Sequence, residues 1–173
     1  RGATYGPVWA ACEKLNGNGE MTGTTWIDES GFLEEPVLLT NTHSVGAVYE
    51  ASIQWRRQRG YHPQDTGQGW ASLPVVAETW DGRLNDIHGH HIRAQHVFAA
   101  LDQAHAGLVE EGNVGGGTGM VCHGFKGGIG TASRLLPGGD TLGVLVQANY
   151  GRREDLQITG VPVGPWIRGY EMS

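Results

Sequence analysis

Charge is scarce in this sequence. Only 17% of its 173 residues are Asp, Glu, Lys or Arg, and the net charge is −6. Proteins that neutralise a nucleic-acid backbone carry a clustered basic surface, so this composition speaks against nucleic acid as a partner. Long apolar runs are lacking as well. No stretch approaches the ~20 residues of a membrane-spanning helix, so a membrane is not expected either. Cysteine occurs twice, as Cys12 and Cys122, outside any CxxC spacing. Both read as buried free thiols packing as small hydrophobes. Disorder needs low hydrophobicity with high charge, and 39% apolar residues exclude it. The length is that of a single domain. No internal repeat and no signal peptide are visible. The chain opens at Arg1, which fits a mature or truncated piece, and the compartment stays open between cytoplasm and periplasm.

Catalytic signatures are equally sparse. There is no GxSxG elbow to mark a nucleophile among Ser30, Ser44, Ser52, Ser72, Ser133 and Ser173. There is no HExxH. The run from Asp86 through His88, His90 and His91 to His96 is dense enough in imidazole to interest Zn²⁺ or Ni²⁺. However, His91 and His96 are five apart rather than the helical four, and a solvated helix start is the better reading. Gly119 and Gly124 have the P-loop spacing, but Phe125 separates them from Lys126, and Gly127 stands where Ser or Thr belongs. Phosphate binding is therefore not expected.

Glycine is abundant: 29 residues, about twice its usual share of roughly 7%. Nine of them fall in residues 112–134, GNVGGGTGMVCHGFKGGIGTASR. Met120, Val121, Cys122, Phe125 and Ile129 give that stretch apolar anchors, which a flexible linker lacks. It reads as a turn-and-strand unit whose glycines let backbone pass close to a site, with N–H groups facing it.

The rest of the chain alternates short strands and helices. Val8, Ala11, Cys12 and Leu15 share a helical spacing, so residues 7–15 are expected to be a helix capped at Gly17. A short strand is expected at 22–27 and a buried one at 36–40. Asn41 to Ser44 offer capping side chains to a helix that buries Val45, Val48, Ser52 and Trp55 and gathers Arg56, Arg57 and Arg59 near its end. A polar loop fills 60–70. Residues 73–78 read as a strand ending on a carboxylate, 92–106 as a helix, 142–149 as the clearest strand, and 155–159 as a last one. The pattern predicts a layered α/β or α+β domain.

The words of the sequence say more than its statistics. LNGNGEMTGTTWI (15–27), TNTHSVGAVYEA (40–51), SLPVVAETWDGRLNDI (72–87), the glycine-rich 112–134 and GVLVQANYG (143–151) together resemble the L-aminopeptidase/D-esterase family, the DmpA-like β-aminopeptidases. The resemblance covers most of residues 15–164. It implies an α-β-β-α sandwich similar to N-terminal-nucleophile hydrolases. It also implies a precursor that cuts itself into an α and a β chain, with the new β-chain N-terminal Ser as nucleophile and its own amine as base. On that resemblance residues 1–173 are a single-domain portion, most of the α chain, lacking a first segment before Arg1 and the whole β chain. The implied partners are that β chain, a homotetramer of αβ units, and a short peptide, amide or ester with a free amine. No cofactor and no metal are implied.

Three positions carry over. Asn149 matches the Asn that helps to bind the oxyanion, a task suited to a neutral amide donor at a strand end. Glu78 matches the Glu that holds the substrate ammonium. Two residues later the family has Tyr, and here Trp80 stands instead; indole N–H donates but cannot exchange a proton as a phenol does. Ser173 ends the chain as given and is not the nucleophile, which the resemblance places in the β chain. Two rival readings are a non-catalytic paralogue that binds amino compounds and a metal-dependent hydrolase built on His88, His90 and His91.

Overall fold

The computed structural model describes residues 6–60 and 73–167. Most of the expected loop at 60–70, and Ser173, lie outside the described residues. The described residues gather into two compact units, one drawn from 6–60, 73–78 and 88–107, the other from 79–87 and 108–167.

The first unit contains β1 (Val8–Trp9), α1 (Thr24–Ser30), β2 (Phe32–Leu33), β3 (Val37–Asn41), α2 (Val45–Gln58), β4 (Val75–Thr79, whose last residue opens the second unit) and α3 (Ala94–Gln103). Strands β3 and β4 are neighbours in one sheet. Residues Val48, Ala51, Ser52 and Trp55 follow the i, i+3, i+4, i+7 spacing of one face of α2, and all are buried. Helix α3 brings Val97 and Leu101 to the same core, and β4 brings Val76. Burying each such large side chain stabilises by about 1.5–3 kcal/mol. Trp55 and Arg56 carry polar groups into the core margin, and both are paired. The Trp55 indole donates to Asp102 at 2.8 Å. Arg56, expected only to face the helix dipole, turns inward and forms a buried ion pair with Glu35 while donating to the Glu34 carbonyl.

Several local expectations fail here, each for a tertiary reason. Residues 7–15 are not a helix: Val8 and Trp9 pair as a strand with Leu33 and Phe32, and the Trp9 ring stacks on Phe32 at 4.3 Å. Leu15 is 97% exposed, so the proposed apolar face has nothing to bury against, and packing is what sustains a short helix. Residues 22–27 are not a strand; the single bridge, from Met21 to Ala77, falls just before them. Left-handed Gly23 and Gly31, both at φ 74°, bracket a helix instead, and Gly31 N–H closes it on the Ile27 carbonyl at 2.9 Å. Ser44 occupies the N-cap of α2 but makes no side-chain capping bond. Helix α3 stops at Gln103, where Ala104 turns extended, ahead of Gly107.

The second unit is built on hairpins. Strands β5 (Val121–Cys122) and β6 (Phe125–Lys126) close through His123 and Gly124, with φ of 50° and 71°, the paired positive values of a tight type I′ turn. Strands β7 (Gly128–Leu135) and β8 (Thr141–Ala148) form a longer antiparallel ribbon, registered from Gly128 opposite Ala148 to Leu135 opposite Thr141. Strand β9 (Gln157–Ile158) pairs with β10 (Val161–Pro162), so the strand expected at 155–159 is shorter and begins after a 3-10 turn at Arg153–Asp155. Leu142, Val144, Leu145 and Val146 of β8 are all exposed. Cys12 and Cys122 are free, as expected, but half-buried rather than buried.

The glycine-rich stretch is a packing device within this unit. Gly112 and Ile129 exchange backbone bonds of 2.8 and 2.9 Å. A Cβ on Gly117 would stand 2.7 Å from the Gly112 carbonyl, and one on Gly128 (φ 152°) would collide with the same group. Many of its N–H groups are used internally: those of Gly112, Val114, Gly117, Thr118, Gly127 and Ile129 all bond carbonyls within 112–129, while Val121 N–H reaches out to the Asn149 side chain and His123 N–H to the Tyr150 carbonyl. Of the N–H groups expected to face a site, that of Val121 meets the candidate residue Asn149. Backbone approaches backbone here.

Candidate active site

Glu78 lies one residue before the end of β4, half-buried, in the first unit. The segment before α1 runs antiparallel beside β4. Thr22 N–H donates to the Val76 carbonyl at 3.0 Å, and Glu78 N–H to the Glu20 carbonyl at 3.3 Å. That pairing brings Glu20 N–H to Glu78 Oε1 at 3.1 Å. The other oxygen, Oε2, accepts a short hydrogen bond from the Thr42 hydroxyl, 36 residues away in sequence. Gly19 passes close enough that a Cβ there would stand 3.3 Å from Oε1. Each carboxylate oxygen thus has one fixed neutral donor, and a carboxylate offers about four lone-pair sites in all. Acceptor capacity remains on both oxygens.

Asn149 and Trp80 meet in the second unit. Asn149 follows directly on β8, and its side-chain amide is gripped at both ends. Val121 N–H donates to Oδ1 at 2.9 Å, and Nδ2 donates to the Trp80 carbonyl at 2.8 Å. A backbone donor on one side and a backbone acceptor on the other leave no choice of amide orientation. One Nδ2 hydrogen is uncommitted, the minimum an oxyanion donor needs. Two residues earlier, Gln147 donates to the Thr79 hydroxyl at 2.5 Å. The two amides therefore hold consecutive residues of the segment that leaves β4. Trp80 touches Asn149 through its main chain, while its indole lies over Gly82 and is 55% exposed.

The imidazole run divides between the units: Asp86 belongs to the second, and His88 to His96 to the first. His43 joins it, with ring centroids 5.1 Å from His88 and 6.3 Å from His90. Among the described residues, no three His, Cys, Asp or Glu side chains are arranged to hold a metal ion. Nor is any described helix long and apolar enough to cross a membrane.

Sequence reasoning missed Thr42, Val121, Gln147 and Thr79. Thr42 was expected to be a capping side chain, and only a contact across 36 residues gives it another role. No periodicity or motif could have signalled that.

Residues 1–172 match the model of peptidase family S58. The chain belongs to that family. It is 48% identical over 166 residues to the beta-peptidyl aminopeptidase BapA of Sphingosinicella microcystinivorans, covering 94% of this chain and 40% of that protein. It is 52% identical over 158 residues to the protein of the same name from Sphingosinicella xenopeptidilytica, covering 90% of this chain and 39% of that one. Among solved structures, it matches the L-aminopeptidase D-Ala-esterase/amidase of Ochrobactrum anthropi at TM-score 0.89 and 50% identity, over 94% of this chain and 46% of that one. That structure is described as a prototype for the serine aminopeptidases and a new variant among the Ntn hydrolase fold. A Burkholderia sp. beta-aminopeptidase matches at TM-score 0.87 and 54% identity, over 94% and 45% of the two chains. This S58 chain therefore spans about 40% of the length of the relatives it matches. The expected fold class holds: helices and strands mix as α+β, in the Ntn-type variant of those neighbours.

Proposed function

We propose that this S58 chain is the α-chain part of a self-cleaving serine aminopeptidase or amidase. Its substrates are short peptides, amides or esters with a free amino terminus, β-peptides among them. The observation that carries this reading is the family match over residues 1–172, with relatives named as beta-peptidyl aminopeptidases at 48% and 52% identity. The nucleophile is the N-terminal Ser of a β chain released from the same precursor, and its own amine takes the proton. Attack on the scissile carbonyl gives a tetrahedral oxyanion, whose collapse expels the amine or alcohol and leaves an acyl-enzyme that water hydrolyses.

The chain's own residues support two roles in that sequence. The uncommitted Nδ2 hydrogen of Asn149 donates to the developing oxyanion, and its fixed orientation means no reorganisation is needed as charge appears. Glu78 accepts from the substrate ammonium. Its position at the end of a buried strand makes that charge pair stronger than in water. Trp80 acts through shape and its main-chain carbonyl, not as a proton carrier. The exposed apolar residues Leu142, Val144, Leu145 and Val146 of β8 support the presence of a second chain, since contiguous exposed apolar surface marks an interaction face. The working assembly is a homotetramer of αβ units.

Glu78→Ala in the full-length enzyme tests the substrate class. KM should rise for a substrate with a free amine and stay unchanged for an N-blocked ester. Equal loss on both would remove the ammonium anchor from the account.

A further inference from the structure

The Thr42 hydroxyl has no partner in its own turn and reaches across to Glu78 Oε2. We propose that Thr42 is a positioning residue for ammonium recognition, setting the orientation of the Glu78 carboxylate and thereby the preference for substrates with a free amine. The proposal rests on the reading of Glu78 as the ammonium anchor and adds a second determinant to it.

The geometry carries it in three steps. A carboxylate at the end of a side chain with several rotatable bonds selects a ligand only if its plane is fixed, and two donors on different oxygens fix it. Here one donor is the Glu20 main chain and the other the Thr42 side chain. The main-chain donor persists in any variant of residue 20 except Pro, so Thr42 is the part of the clamp that its own side chain controls. Thr42 opens the 3-10 turn Thr42–Ser44, directly after β3, which neighbours β4 in the sheet. The hydroxyl is therefore anchored in regular structure on both sides of the bond. Finally, a hydroxyl that has given its hydrogen to Oε2 retains only acceptor capacity. It cannot compete with an ammonium for the carboxylate as a second donor of mobile geometry, and its lone pairs are open to one of the ammonium's three N–H groups.

A purely structural role for the same hydroxyl predicts something different. It would affect folding and every substrate alike, whereas a positioning role affects only substrates that use Glu78.

The test uses the full-length processed enzyme with Thr42→Val, Thr42→Ala, Thr42→Ser and Glu78→Gln. It uses a matched pair of substrates, one amide with a free amine and one N-acetylated ester. Thr42→Val should raise KM for the free-amine substrate about ten-fold, the loss expected on removing a hydrogen bond to a charged group. It should leave kcat near wild type and the blocked ester unchanged, and Thr42→Ser should restore KM. Thr42→Ala makes the same comparison if the Val variant does not fold. Should Glu78→Gln abolish the preference for the amine while Thr42→Val and Thr42→Ala leave KM within about two-fold, the positioning role is overturned and the Glu78 reading stands. An equal loss on both substrates in the Thr42 variants overturns it too. If Glu78→Gln itself leaves the preference intact, the anchor reading fails and takes the proposal with it.

Discussion

Replacing Asn149 by Ala removes three things whose sizes follow from its contacts. The first is the free Nδ2 hydrogen. Loss of one preorganised oxyanion donor costs about 2.7–4 kcal/mol in the transition state, or roughly 10²–10³ in kcat. The other two are the bonds from Val121 N–H at 2.9 Å and to the Trp80 carbonyl at 2.8 Å. Val121 N–H loses its partner in a half-buried setting and the Trp80 carbonyl in an exposed one, and together that costs about 1–2 kcal/mol of stability. The Asp variant separates these effects. It can still accept from Val121 N–H, but it places a second carboxylate oxygen against the Trp80 carbonyl, where Nδ2 had donated. It also puts negative charge beside a developing oxyanion, so kcat should fall at least as far as in the Ala variant. Steady-state kinetics on enzyme shown by mass to be processed, with thermal unfolding alongside, measures both terms. A processed Asn149→Ala enzyme whose kcat stays within about three-fold of wild type would refute the oxyanion role.

Further outcomes follow from the packing. Glu35→Gln removes the carboxylate charge that faces Arg56 in a site where both side chains are less than a tenth exposed; the loss should be about 3–5 kcal/mol by denaturant titration, and a change below 1 kcal/mol would show that the pair is not buried in solution. Gly117→Ala drives a Cβ to within 2.7 Å of the Gly112 carbonyl, whereas Gly130 has open space around it. The first substitution should therefore destabilise by about 1–3 kcal/mol and Gly130→Ala by much less in the same melting assay. Glu111 accepts from the hydroxyl and N–H of Thr131, and these bonds hold its carboxyl below the usual 4.5. Being depressed in the folded state, it contributes stability above its unfolded value, and that contribution is lost as pH falls through the lower folded value. An NMR titration should show Glu111 titrating below 4.5, moving up in Thr131→Val. Prolonged dialysis against a strong chelator should leave hydrolysis unchanged; loss restored by Zn²⁺ would instead favour a hydrolase built on the His43, His88 and His90 cluster.

What the sequence disclosed about the fold was whatever local chemistry decides. Apolar runs bounded by turn residues located β3, β4 and β8, and the spacing of Val48, Ser52 and Trp55 located α2 and its buried face. Residues 7–15 had the same kind of spacing but no core to meet, and a strand partner at Phe32–Leu33 claimed them instead. At 22–27 the β-branched residues pointed to a strand, while two left-handed glycines, Gly23 inside that window and Gly31 beyond it, decided for a helix. The site divided along the same line. Asn149 and Glu78 were legible as candidates through words shared with a family, and Trp80 as a departure from them. The groups that orient them were not, because Thr42 and Val121 reach their partners across 36 and 28 residues. The glycines of 112–134 were legible as close approaches, but only coordinates show that Gly117 and Gly128 close on the Gly112 backbone.

The central claim is that this chain is one product of a precursor that cuts itself to expose a serine. Intact-mass analysis of the full-length gene product, purified without added protease, tests it most directly. The account predicts two fragments whose masses sum to the precursor plus one water, with the second fragment beginning at Ser and acquiring the acyl mass of a slow ester. A single uncut chain that hydrolyses no free-amine amide would contradict it.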